Sequence, residues 1–336
     1  MKIIDGSFGE GGGQIFRTAL TLAMCKQEPV RIINIRAGRR KPGLLRQHLA
    51  CLKAAREICS GETIGETLGS SEVTFIPGIV QSGNYQFAVG SAGSTVLIFQ
   101  TVFIPLAMAG GESYITFDGG THNGMAPSVD FLRLSFLPLV GKLGFFAEVE
   151  LKRYGFYPAG GGRWNAKIFP WSGPKSMHLN SFSEVTNSKV LAISAKIPAH
   201  ITERELAWVR NKGGLPGAVY NQQTVESQGP GNILSLQLGL GSYSVVFETV
   251  GERGRSAERV AQLAITDMNR FLDGRVSVCL HLADQLLLPM VLSGGGSFLT
   301  NEPTQHFISN AEIIKQFIGK KVEARQLDEC RWQVEV

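Results

Sequence analysis

A glycine-rich turn set directly against an apolar helical run constrains this chain more than any other feature, because the pairing recurs. Asp5-Gly-Ser-Phe-Gly-Glu-Gly-Gly-Gly-Gln-Ile-Phe-Arg17 is matched by Gly90-Ser-Ala-Gly-Ser-Thr-Val-Leu-Ile-Phe-Gln100. A looser echo runs from Leu282 to Gly296, with its glycines after the helix. Self-similarity at such wide spacing predicts a fold assembled from repeated βα units. Between the first two turns, a strand over Val30 to Ile35 gives way to a basic loop and then a helix. Leu45, Leu49, Leu52, Ala55 and Ile58 mark that helix's apolar face and Gly61 its stop. A third unit is expected to include Phe131 to Leu143 and a strand from Phe145 to Leu151, ending at Gly155-Phe-Tyr-Pro-Ala-Gly-Gly-Gly162.

From about Ser181 the texture changes. A strand over Val190 to Ile197, a helix over Thr202 to Lys212, a hairpin within Ile233 to Val250 and a helix over Ser256 to Leu272 make a compact set. Val276 to Pro289 then resumes the uncharged style of the first part. The expected architecture is α/β (α+β), with a large domain of residues 1–180 and 276–336 and a smaller α/β domain, 181–275, inserted into it. Val73 to Gly111 carries no charge, but its strongly apolar part, Val96 to Ala109, is interrupted by Gln100, Thr101 and Pro105. It falls short of the ~20 residues that a bilayer span needs and reads as a buried core helix. The 5 cysteines include no C-x-x-C pair, and Asp5 and Glu10 stand where a secretory signal would be apolar. Both point to a reducing, cytoplasmic setting, nuclear in a eukaryotic host, with no membrane partner.

The first glycine turn suits an anion. Gly9, Gly11, Gly12 and Gly13 let backbone N–H groups approach a ligand, and the helix starting near Gln14 aims its positive end at the same place. No Gly-Lys-Ser/Thr follows, so it is not a P-loop, and the dinucleotide spacing is absent. Glu10 would repel phosphate unless a cation sat between them, which points to a divalent metal, Mg or Mn. A plain strand-to-helix turn is the competing reading. Arg36, Arg39, Arg40, Lys41 and Arg46 crowd one Pro-Gly turn. Their forks suit a polyphosphate or a nucleic-acid backbone, although such runs are also ordinary solvated surface. Lys+Arg 33 against Asp+Glu 28 gives a net charge of +5, which permits an anionic partner without demanding one.

Phe156, Tyr157 and Trp164 could stack on bases or serve the core. His48, His122, His178 and His200 have no companion base or carboxylate nearby in sequence that makes a catalytic pair. His281-Leu-Ala-Asp-Gln285 follows an apolar segment read as a strand, and Gly294-Gly-Gly-Ser leads toward Thr304-Gln-His306. A neutral imidazole whose second nitrogen is held can attack phosphorus, and a metal site of His281, Asp284 and His306 is a further option.

Taken together these segments resemble the RNA 3'-terminal phosphate cyclase family. The resemblance rests on Asp5 to Arg17, Arg36-Ala-Gly-Arg-Arg-Lys-Pro-Gly-Leu-Leu-Arg-Gln47, Gly90-Ser-Ala-Gly-Ser94, Gly155 to Gly162, Gln228-Gly-Pro-Gly-Asn232, Leu282-Ala-Asp-Gln285 and His306, in the family's order. It implies repeated βαβαββ units carrying an inserted domain. It also implies ATP-dependent conversion of an RNA 3'-phosphate end to a 2',3'-cyclic phosphate, through a histidyl-AMP enzyme and an RNA(3')pp(5')A intermediate. In that likeness His306 matches the nucleophile, while Glu10 and Arg17 match residues around the ATP phosphates and the metal. Gln100, Pro127, His281, Leu282, Ala283, Asp284 and Gln285 fall in the nucleotide site, and Arg36, Arg39, Arg40 and Lys41 in the basic loop facing phosphate or RNA. Many members have tyrosine just before Leu-Ala-Asp-Gln, where this chain has His281, a smaller face for stacking adenine. The competing expectation is a non-catalytic cyclase-like RNA-binding protein of ribosomal RNA maturation, a branch that lacks the nucleophile. A homodimer is left open.

Overall fold

Four four-stranded sheets organise a computed structural model that describes all residues, 1–336. Three of them share one design. In the first, Lys2–Asp5 pairs in parallel with Val30–Ile33, Val73–Ile76 joins antiparallel, and Glu62–Ile64 lies at the far edge. The second repeats that order with Asn84–Ala88, Ser113–Gly119, Gly162–Ile168 and Ala147–Arg153. The third uses Met177–Leu179, Gly296–Thr300, Trp332–Glu335 and Glu323–Gln326. A parallel pair needs a crossover, which the first helix of each unit supplies: Gly13–Lys26, Val96–Met108 and Leu280–Leu292. Arg46–Cys59, the run from Val129–Phe131 through Leu137–Lys142, and Gln305–Ile318 complete the βαβαββ pattern.

The stretch expected to form a third unit, Phe131 to Leu151, is therefore the second half of unit two. The echo at Leu282 to Gly296 belongs to the actual third. Sequence patterning misplaces it because the opening strand of unit three, Met177–Leu179, has only 3 residues and is separated from its helix by another sheet. That intervening sheet is ordered Val219–Thr224, Asn187–Ala195, Gly231–Gly239, Ser244–Val250. Helices Ala199–Lys212 and Ala257–Asp273 pack on each other and against it.

Helices of the three units meet in the centre, where Gly13–Lys26 packs on Val96–Met108 and on Gln305–Ile318. Val96–Met108 is buried on all sides, as its uncharged sequence predicts. Pro105 cannot supply the N–H that the Thr101 carbonyl would accept. The Thr21 hydroxyl donates to that carbonyl instead at 2.9 Å, tying the first helices of units one and two. No helix is long and apolar enough to cross a membrane.

One open choice is settled and two further expectations change. Phe156 and Trp164 are core residues, 1% and 0% exposed, and Trp164 stacks on Phe117 at 4.2 Å; of the three aromatics offered for base stacking, only Tyr157 is exposed. The strand from Val30 ends at Ile33, because Asn34 (φ 52) and Arg36 (φ 55) turn the chain left-handed. The apolar segment before His281 is not a strand. The Ser277 and Val278 N–H groups both reach the Leu299 carbonyl, a side-on contact rather than a ladder, and extended Cys279 opens the helix Leu280–Leu292. His281 to Gln285 accordingly lie on that helix's first turns.

Candidate active site

The glycine turn is built for close approach. Asp5 anchors its start, its Oδ1 accepting from the Ser7 N–H at 2.9 Å and the Ser7 hydroxyl at 2.7 Å. Gly9 (φ 56) adopts a left-handed conformation, and a Cβ there would sit 2.4 Å from Ser309 Oγ. That hydroxyl oxygen accepts the Glu10 N–H at 3.0 Å, so glycine at position 9 lets unit three clasp the turn of unit one. A Cβ on Gly12 would lie 2.3 Å from either carboxylate oxygen of Glu10. The missing side chain lets that carboxylate fold back over the turn. The helix that follows, Gly13–Lys26, has no side-chain cap, so its first N–H groups remain available to an anion.

Glu10 is the hub. Arg39 donates to its carbonyl at 3.1 Å and pairs with its carboxylate through Oε1. His306, on the first turn of Gln305–Ile318, places Nδ1 3.2 Å from Glu10 Oε2, without the alignment of a full hydrogen bond. Thr304 caps that helix by accepting the Phe307 N–H at 3.2 Å, which fixes where His306 projects. Partial burial and the Arg17 and Arg39 guanidiniums hold the His306 imidazole below its ordinary pKa, favouring the neutral form. The His306 side chain is 51% exposed and Glu10 16%, so solvent reaches the imidazole from one side.

Arg17 lies at the floor of the site, its guanidinium donating to Gln14 Oε1 at 2.8 Å. Near it Asp284 is almost wholly buried, and burial pushes its carboxyl up to about 7 while Arg17 pulls the other way. Asn310 ties this region together. Its amide nitrogen donates to the Asp284 carbonyl at 2.7 Å, and its oxygen accepts from the Thr18 hydroxyl at 2.8 Å. Gln100 and Gln285 close the pair of first helices, amide to amide at 2.5 Å. A cleft runs between these groups, lined by Gln14, Arg17, Thr18, Gln100, Gln285 and Asn310, with Phe103 and Leu288 behind.

The structure brings Glu10, Arg17, Arg39, Gln100, Asp284, Gln285 and His306 to one place from all three units. Leu282 and Ala283 are buried in the core side of their helix, so they support the cleft from behind. His281 is 65% exposed at the rim, 4.0 Å from the Asp267 carboxylate of Ala257–Asp273. Pro127 lies half-buried on the loop before Val129, and no hydrogen bond or ion pair links it to this cluster. Arg36 points inward to its own loop, donating to the Lys41 carbonyl and to the Gly43 carbonyl at 3.0 Å, whereas Arg40 and Lys41 are exposed. Sequence reading misses Ser309, Asn310 and Thr18, since a hydroxyl or amide on a helix carries no signal until the opposite unit is in place. It also misses the partner of His122, whose Nε2 lies 3.4 Å from Asp130 Oδ2 in a buried cluster elsewhere.

No three His, Cys, Asp or Glu side chains converge to hold a metal, so His281, Asp284 and His306 are not a metal centre. Glu10 fits a different mode. Mg²⁺ often takes one or two carboxylates and completes its shell with water and substrate phosphates. The buried Oε2 atom, without a hydrogen-bond partner, is a suitable single ligand.

The sequence model for "RNA 3'-terminal phosphate cyclase" matches residues 8–324. A protein of that name from Koribacter versatilis is 43% identical over 331 residues, covering 98% of this chain and 93% of its own. Proteins of the same name from Pseudomonas fluorescens and Ectopseudomonas mendocina are 42% identical over 333 residues and 40% over 334. Each of those alignments covers 99% of this chain, and 96% and 97% of the respective relative.

Proposed function

The chain belongs to the RNA 3'-terminal phosphate cyclase family, and from that premise we propose that it closes RNA 3'-phosphate ends to 2',3'-cyclic phosphates with ATP. The observation that supports a covalent route is the 3.2 Å approach of His306 Nδ1 to the Glu10 carboxylate. The negative charge of that carboxylate favours the tautomer protonated on Nδ1, which leaves the Nε2 lone pair free to attack.

In the first step Nε2 attacks the α-phosphorus of ATP. An N–P bond forms, the bond to pyrophosphate breaks, and AMP is left on His306. An oxygen of the RNA 3'-phosphate then attacks the same phosphorus and frees the imidazole, giving RNA(3')pp(5')A. Finally the neighbouring 2'-hydroxyl attacks the 3'-phosphorus, its proton is lost to solvent, and AMP departs. Arg17 and Arg39 flank His306 and stabilise charge on the transferring phosphoryl group. Glu10 would hold a divalent ion, which when bound offsets charge on the departing pyrophosphate. Gln100, Asp284 and Gln285 serve the nucleotide side, with His281 at its rim, and Pro127 is assigned to the same slot by the family likeness alone. Exposed Arg40 and Lys41 face the RNA backbone. Residues 181–275 act as an inserted domain whose Asp267 approaches that rim. The setting in this reading is cytoplasmic.

The test is incubation of the purified protein with α-labelled ATP and Mg²⁺ or Mn²⁺, without RNA. Label that acid removes and alkali spares, present on the parent and absent from His306→Ala, is the expected result. A folded parent that binds ATP and takes no label refutes the covalent mechanism and favours a non-catalytic RNA-binding role.

A further inference from the structure

His48 has no part in the chemistry above, yet it is built into the anion-facing end of the site. It is 2% exposed, on the first turn of Arg46–Cys59, and Nδ1 accepts the Leu45 N–H at 3.2 Å. An acceptor nitrogen carries no proton, so the neutral ring must bear its hydrogen on Nε2. Burial and the Arg17 and Arg36 guanidiniums push this imidazole down to about 3, which keeps it neutral under all working conditions. Phe16 packs edge-on to the ring, with centroids 6.3 Å apart, and holds its plane.

The protonated nitrogen points at the uncapped helix start. A Cβ on Gly13 would lie 2.4 Å from His48 Nε2 and 2.9 Å from Arg17 Nη1, so donor and cation converge on the first helical residue. The one side-chain hydrogen bond His48 makes runs through Nδ1, which leaves the Nε2–H without a protein acceptor. A donor that meets no protein acceptor and is not sealed off inside the core is free for a ligand to take.

We propose that His48 is a substrate-touching residue whose Nε2–H donates to a phosphate oxygen held between Arg17 and the N-terminus of Gly13–Lys26. The phosphate comes from the pyrophosphate half of ATP or from the RNA 3'-end. That choice, unlike the existence of the site, rests on the reaction proposed above.

Two variants separate this role from simple helix capping. His48→Asn keeps an acceptor where Nδ1 stands and removes the donor at Nε2, whereas His48→Gln retains a donor at that reach. A capping role alone predicts that the two behave alike. Substrate contact predicts that His48→Asn binds inorganic pyrophosphate roughly 10- to 100-fold more weakly by calorimetry, the scale of a hydrogen bond to a charged group. The same contact predicts that His48→Gln stays within about fivefold of the parent. Transfer of AMP from preformed adenylylated enzyme to a 3'-phosphorylated RNA forms the second arm. A defect there, with pyrophosphate binding intact, assigns the contact to the RNA phosphate. A His48→Asn protein equal to the parent in both arms overturns the proposal. A measurement without variants guards against misfolding: in ¹⁵N-histidine-labelled parent, saturating pyrophosphate and 3'-phosphorylated RNA are added in turn. The His48 Nε2–H resonance is expected to move downfield with at least one, and no movement with either refutes the contact. A parent that never becomes adenylylated sinks the covalent mechanism, while pyrophosphate binding and the resonance still judge His48.

Discussion

Glu205, far from the site, carries a pH effect on stability that can be worked out from a single group. It is 0% exposed on Ala199–Lys212, Oε2 accepts from the Asn232 amide at 3.0 Å, and Oε1 has no partner. Burial raises its carboxyl from 4.5 to about 7, with the Asn232 hydrogen bond pulling modestly the other way. A carboxyl raised on folding contributes stability that is fully present below the unfolded value and lost as pH rises through the folded one. At 1.36 kcal/mol per unit the whole effect is about 3 kcal/mol, of which roughly 2.5 falls between pH 5 and pH 8. Glu205→Gln keeps the acceptor for Asn232 and abolishes the titration. Urea unfolding near those two pH values, followed by amide protection of the 199–212 helix, should show the parent losing about 2 to 3 kcal/mol more than the variant. Parallel pH slopes in parent and variant would refute the reasoning, because they would mean that this carboxylate ionises as easily folded as unfolded.

Other expectations concern the site itself. Gly9→Ala forces a left-handed alanine against Ser309 Oγ and loosens the Glu10 N–H bond; a stability loss of about 2 kcal/mol is expected in denaturant titration, and Gly9→Ala with Ser309→Ala should recover part of it. Strict additivity of the two substitutions would contradict the contact. Arg39→Ala removes one cation that depresses His306, so the acid limb of the self-adenylylation rate should move to higher pH; an unmoved or lowered limb would show that Arg39 does not bias the imidazole. Exposed Arg40 makes no ion pair that would compete with RNA. Arg40→Ala should therefore weaken binding of a 3'-phosphorylated single strand and flatten the slope of log K against log salt by about 0.7, and an unchanged slope removes it from the RNA path.

Much of the molecule is legible from local pattern. The charge-free run around Val96 can be satisfied only by burial on every side, and the structure buries it. The apolar face of Leu45 to Ile58 reads directly as a helix at nearly its true limits, Arg46–Cys59. The unit boundaries were less legible. The 3-residue strand Met177–Leu179 has too few side chains to show an alternation, so its membership in unit three depends on pairing with Gly296–Thr300 across an entire intervening sheet. Phe156 and Trp164 show the same limit, since an aromatic in a strand does not reveal which face is covered.

By itself the sequence determined what each segment can do locally: where the backbone must turn left-handed, which helix needs a dry environment, and which loop gathers guanidiniums. Those properties depend on neighbours a few residues away. Only the tertiary structure decided that Glu10 meets His306, that Ser309 clasps the glycine turn, that Asn310 bridges Thr18 and Asp284, and that His48 aims its proton beneath Gly13. Each of these contacts joins segments distant in the chain, most of them in different βαβαββ units. Their distances are set by how the central helices pack, a constraint distributed over the whole core and written in no single stretch of chain.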